Sequence, residues 1–268
     1  MTTTTSEKFV VYWLGYHLSP PAIQSLPTGI DVVNLFLLNL ASSKTGTTLD
    51  YNYITSKGTT WTTILSQAHA AQKNGVKVCV SIMSPNNVLT WNTISDPETF
   101  AENVYNLVTG WGLDGIDIDP EIGSGTIAPD QGFVTVVQAL SKYFGPASGK
   151  ELIMSFVSSD LSFDETVLKP CASMFDYVML MNYGLSAAEM IAEFEQYAAI
   201  VGSQNLMFGI GGDPWTTILP VTEAVAAWEP KSGNKGGMME FDINEDDKYR
   251  AANAIIKALS KQAVAAQT

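Results

Sequence analysis

Eight short β-rich runs recur along the chain and alternate with stretches of helical periodicity. They are Phe9–Trp13, Val32–Asn39, Val76–Ile82, Gly115–Glu121, Leu152–Val157, Tyr177–Tyr183, Leu206–Ile210 and Gly237–Phe241. Most read as near-continuous apolar runs, the pattern of strands covered on both faces. Alternation of covered strands with helices leads to a parallel sheet, and eight strands are the number that closes into a (β/α)8 barrel. Such a barrel takes about 250 residues. A chain of 268 residues is therefore used up by one α/β domain, expected over residues 1–268 with residues 1–8 as a flexible tail. An open doubly wound sheet is the competing arrangement. It wants a glycine-rich first turn, and none follows Phe9–Trp13.

The helical segments have their own punctuation. Trp61, Ile64, Leu65, Ala68 and Ala71 keep one face, and Gly75 ends that segment. Ser95-x-x-Glu98 has the spacing of a capping box, with Pro97 suited to a first turn. Phe133 to Phe144 carries a stripe stopped by Gly145-Pro146, and Ile191 to Val201 one stopped by Gly202. Pro220 can open a short helix, and Ala252 to Leu259 gives the last. The stretch from Asp160 to Met174 is interrupted by Pro170 and reads as a weak helix.

One strand carries the chemistry. In Asp114-Gly115-Ile116-Asp117-Ile118-Asp119-Pro120-Glu121, alternation puts Asp117, Asp119 and Glu121 on one face, about 6.6 Å apart in succession. Ile116 and Ile118 face the helices, so the acids face the barrel interior. Burying three acids is costly unless they share protons and hydrogen bonds, so a strand needed only for stability would carry Val or Ile there. Glu121 ends the strand, and barrel enzymes work at the C-terminal strand ends. Nearby negative charge is expected to raise its proton affinity, as a general acid requires. Two other readings stay open at this point: a solvated acidic strand end, and a divalent-metal site. Metal sites in barrels draw ligands from several strands, and no matching acids are evident at the other strand ends.

The same segment resembles the Asp-x-x-Asp-x-Asp-x-Glu signature of glycoside hydrolase family 18, which holds chitinases and endo-β-N-acetylglucosaminidases. It falls on the fourth strand, where the family has it. Val11-Tyr12-Trp13, Val33-Asn34-Leu35 through Asn39, Met181-Asn182-Tyr183 and Gly236-Gly237-Met238-Met239 resemble the family's first, second, sixth and eighth strands. The chain departs from the family at Ser81-Ile82-Met83-Ser84, where Ser-x-Gly-Gly is common, at Phe241 for Trp, and at Gly184 for Asp. The resemblance implies a single TIM barrel. The seventh and eighth strands are too close for the insertion domain of processive chitinases, which implies an open groove and endo cleavage.

The resemblance also implies a mechanism. Glu121 protonates the glycosidic oxygen, and the 2-acetamido group of the −1 sugar supplies the attacking oxygen. Asp119 holds the acetamide N–H, Asp117 shares a proton with Asp119, and Tyr183 binds the acetamide carbonyl. Substrate assistance thereby replaces the two-carboxylate scheme of most retaining enzymes. Tyr12, Met181, Asn182, Phe241 and Trp215 are expected to contact sugar, with Trp91 another candidate for the groove. Asp114, of opposite parity, is expected to be structural. Chitin is the leading substrate expectation, the N-glycan chitobiose core the alternative. A non-catalytic chitinase-like lectin is the reading from another class, opposed by the presence of Glu121.

Composition narrows the partners. The net charge of −13 disfavours nucleic acid and anionic membranes and suits a neutral GlcNAc-containing glycan. No cofactor and no metal are expected, and the protein is expected to be a monomer. Two histidines leave little for a Ser-His-Asp triad or a histidine-rich zinc site, and two cysteines are expected to be buried thiols. No apolar leader follows Met1, which leads to an expectation of cytoplasmic location, or of export if the chain is a trimmed form.

Overall fold

The computed structural model describes residues 7–44, 46–122, 125–126, 128–211, 219–231 and 233–265. Eight parallel strands form the barrel: β1 (Lys8–Leu14), β2 (Val32–Ser43), β4 (Lys77–Ser84), β5 (Gly115–Ile122), β7 (Ile153–Ser158), β8 (Tyr177–Leu180), β9 (Leu206–Gly211) and β10 (Gly237–Phe241). The ring closes because β1 pairs with both neighbours, Val10 opposite Val32 on one side and Met239 on the other. Two further strands, β3 (Gly46–Asp50) and β6 (Gly125–Thr126), fold back antiparallel onto β2 and β5. All eight runs expected from the sequence are barrel strands. Residues 212–236, which include a short helix, leave no room for a second domain between β9 and β10.

Strand alternation sorts the core into two layers. Val11, Trp13, Val33, Leu35, Val78, Val80, Ile116 and Ile118 face outward and pack under the helices. Val10, Tyr12, Val32, Phe36, Cys79, Val157, Met179 and Met239 fill the inside. The helices are α1 (Trp61–Gln72), α2 (Pro97–Gly110), α3 (Gln131–Leu140), α4 (Leu161–Cys171), α5 (Ala187–Val201), α6 (Leu219–Ala227) and α7 (Arg250–Ala265). Each of α1 to α5 begins on an N-cap side chain that accepts a backbone N–H, such as Ser186 from Glu189 in α5. The last helix runs back along the barrel, and its Ile256 packs on Gly29, just before β2, at the face where the strands begin.

Three expectations are corrected. The N-cap of α2 is Asp96, which accepts from Thr99, because Pro97 at the first helical position fixes the cap one residue later than Ser95. The stretch with Pro170 is a full helix, α4, since the proline sits in its last turn where little of the ladder remains to break. Residues 7 and 8 are not a tail. Lys8 opens β1, and Glu7 lies 3.0 Å from the ammonium of the fully buried Lys235, which also meets Glu229 at 2.7 Å. Residues 1–6 lie outside the described residues.

Candidate active site

Alternation along β5 turns its acids into the barrel, as read from the sequence, while Ile116 and Ile118 join the outer core. Asp117 is completely buried and accepts three hydroxyls from three strands: Tyr12 at 2.7 Å, Ser81 at 2.9 Å and Ser155 at 2.7 Å. Burial raises its proton affinity, and the three donors oppose that rise. Asp119 turns its Oδ1 to the backbone N–H of Glu121 at 2.8 Å. Asp117 thus holds three hydroxyls, two on Oδ2 and one on Oδ1, which leaves Oδ1 able to accept a further proton.

Asp119 and Glu121 are both held above the usual carboxylate range. For Asp119 the cause is burial first, then the charge of Glu121. For Glu121 the cause is burial. Tyr183, in the turn after β8, is kept neutral by burial and by the charges of Glu121 and Asp119, so it remains an O–H donor. It points that hydroxyl at the sulfur of Met239, 3.8 Å away, a weak acceptor easily exchanged for a carbonyl.

These groups surround a cavity of about 250 Å³ at the C-terminal mouth, lined by Tyr12, Phe36, Asp119, Glu121, Val157, Ser159, Met181, Tyr183 and Phe241. Phe241 is one of its lining rings, with Tyr183 stacked on it at 6.1 Å and Tyr12 and Phe36 meeting it edge-on at 5.6 and 5.3 Å. Catalytic candidates Glu121, Asp119 and Tyr183 thus share one space with the sugar-contact candidates Tyr12, Met181 and Phe241, while Asp117 braces them from beneath. Asn182 does not join them. It is buried on the outer side, where its Oδ1 accepts the N–H of Gly209 at 3.2 Å. Trp215 lies outside the described residues. Trp91 is also not in the groove. It is buried behind β5, stacked on Phe133 at 5.2 Å, and donates its indole N–H to the backbone carbonyl of Asp119 at 2.8 Å.

Sequence reasoning missed Phe36, Val157 and Ser159 as lining residues. It also missed an acid at another strand end: Asp242 follows Phe241, is mostly buried and lies 3.9 Å from His17. That carboxyl is not among those lining the cavity. Asp114 is structural as expected, accepting from Gln72, Lys77 and the N–H of Val78. Cys79 and Cys171 are buried free thiols.

Comparison with known proteins agrees with this geometry. The sequence model of the endo-β-N-acetylglucosaminidase EndoS TIM-barrel domain matches residues 17–240. Endo-β-N-acetylglucosaminidase F2 of Elizabethkingia meningoseptica is 26% identical over 251 residues, 87% of this chain and 70% of that protein. An endo-β-N-acetylglucosaminidase of Bifidobacterium longum subsp. infantis is 25% identical over 85% of this chain, which spans only 44% of that longer relative. Among solved structures, the endo-β-N-acetylglucosaminidase of Cordyceps militaris superposes with a TM-score of 0.72 at 20% identity, covering 95% of this chain and 91% of that one. A family 18 chitinase from Chromobacterium violaceum gives 0.71 at 15% identity, covering 96% and 84%. The match of the family model to most of the barrel, over the strand that carries Asp117, Asp119 and Glu121, places this chain in the endo-β-N-acetylglucosaminidase EndoS TIM-barrel family of glycoside hydrolases.

Proposed function

We propose that the protein hydrolyses the GlcNAc-β-1,4-GlcNAc bond of the N-glycan chitobiose core, internally and with retention of configuration. The observation that carries this reading is the cavity's carboxylate set. Among the described residues that line it, Asp119 and Glu121 are the only acids, and they are neighbours on a single strand. A two-carboxylate retaining enzyme sets its nucleophile about 5 Å away across the scissile bond. No carboxylate stands on the facing wall among those residues, so the attacking oxygen comes from the substrate's own 2-acetamido group.

Each residue then has a task. Glu121, whose proton affinity burial raises, gives its proton to the leaving oxygen as the C1–O bond breaks. The acetamide oxygen bonds to C1 and forms an oxazolinium ion. Asp119 accepts the acetamide N–H and offsets the positive charge, and Tyr183 donates to the acetamide oxygen. Glu121, now a carboxylate, takes a proton from the water that opens the ring. Phe241 supplies the apolar floor on which the sugar face rests.

The N-glycan core takes precedence over chitin because the family model and both sequence relatives carry endo-β-N-acetylglucosaminidase names. Chitin remains the second reading, favoured by the likeness of the run from Asp119 to Ser124 and of Asp246-Asp247-Lys248 to plant-type chitinases. Incubation with a high-mannose glycopeptide and, separately, with chitin oligomers distinguishes the two. Mass analysis is expected to show a peptide bearing one GlcNAc and a glycan ending in the other. Shortened chitin oligomers alone would support the second reading, and intact substrates in both tubes would refute both.

A further inference from the structure

A row of aromatic rings leads from the cavity to solvent. Phe36, in the cavity wall, has its ring centroid 6.4 Å from that of Tyr16, and Tyr16 lies 4.9 Å from Tyr53. Tyr16 follows β1 and Tyr53 opens the short 3-10 turn after β3, so both stand on the rim above the first two barrel strands. Tyr16 is half-buried and Tyr53 is 47% exposed.

The placement is built into the rim. Ile54 is fully buried, and a Cβ on Gly15 would come within 2.6 Å of its side chain. The missing side chain at Gly15 therefore lets Ile54 seat the turn, which holds the Tyr53 ring beside Tyr16 before any ligand arrives. Rigid tyrosines give a large amphipathic contact at low entropic cost. The charged groups nearby are mainly acidic: Asp242, whose charge acts on the Tyr16 hydroxyl, and Glu245, paired with His17 at 3.1 Å. They would accept sugar hydroxyls and repel an anionic ligand.

We propose that Tyr53 and Tyr16 form a distal subsite that stacks on a neutral sugar of the glycan, one step outward from the cavity. It deepens the proposed function and rests on it. The test measures binding by calorimetry to the Glu121→Gln protein, which holds glycans without turning them over. The probes are chitobiose, chitopentaose and a high-mannose glycopeptide. Adding Tyr53→Ala is expected to weaken one or both longer glycans about tenfold, the upper end of a ring-stacking contact. Chitobiose, filling the cavity alone, is expected to bind as before, and Tyr53→Trp to restore the longer glycans. Unchanged binding of both longer glycans, or an equal loss for chitobiose, overturns the subsite. If wild-type protein cleaves glycan while Tyr53→Ala leaves binding intact, only the subsite fails. If wild-type protein cleaves neither glycan, the proposed function itself fails.

Discussion

At the scale of single residues, Glu121 and Asp117 make opposite demands on a proton. In the proposed mechanism Glu121 gives one up, so its removal as an acid should be close to fatal. Glu121→Gln is expected to keep the fold and lower kcat by roughly 100- to 10,000-fold, the usual worth of a general acid; near-normal turnover of the glycopeptide would contradict the assignment. Asp117 sits under three hydroxyls, so Tyr12→Phe takes one donor from a buried carboxyl and should raise its proton affinity further. The acidic limb of the pH–rate profile is expected to move to higher pH in that variant, and an unmoved profile would show that Asp117 takes no part in the charge balance. The row of acids turned into the barrel was legible in the sequence because three acids at two-residue spacing on a covered strand point to more than strand stability. Asn182 was misread because Met181, Asn182 and Tyr183 were taken as one block; alternation from Tyr177 turns Met179, Met181 and Tyr183 inward and Asn182 out. The same alternation would have found Phe36, Val157 and Ser159. Trp91 gave no such signal, since a loop residue has no periodicity to reveal which way it packs.

Among the elements, the strands were read with little error because burial on both faces writes itself as an apolar run. Helix beginnings were harder, since one extra polar residue shifts the cap. Asp96 caps α2 through its bond to the Thr99 N–H at 3.1 Å. Asp96→Ala is expected to cost about 1 kcal/mol and to lower Tm by a few degrees, with kcat unchanged, because no residue of α2 lines the cavity. Thermal melts beside activity assays check this, and a loss of activity without a loss of Tm would mean that α2 does more than support the barrel. Proline in α4 misled for a related reason: its effect depends on position within the helix, which the sequence alone does not state.

Across the whole molecule several buried acids share one tendency. Burial lifts Glu7 to about 8, Asp164 to about 7 and Asp242 to about 6. In the unfolded chain such groups ionise near pH 4. Between that value and each folded value, the native state holds a proton that the unfolded chain has released, so stability falls as pH rises. Below about pH 4 this contribution is complete; above about 8 it is gone. Around Lys235 the reason is plain: a proton on Glu7 leaves one ammonium facing one carboxylate, Glu229, and its loss leaves a buried excess of negative charge. Tm is therefore expected to be highest in mild acid and to drop between pH 5 and pH 8, with Asp164→Asn flattening part of that drop. A Tm that rises over the same interval would show that these carboxyls are ionised in the native protein.

The course of α7 has a practical consequence. It returns from the catalytic mouth to the opposite end of the barrel, where Ile256 rests on Gly29 and where β1 also starts. Both ends of the described chain therefore leave from the face turned away from the glycan. An enzyme tethered to a bead or sensor surface through either end would present its mouth to the solution, and a bulky glycoprotein could approach without meeting the support.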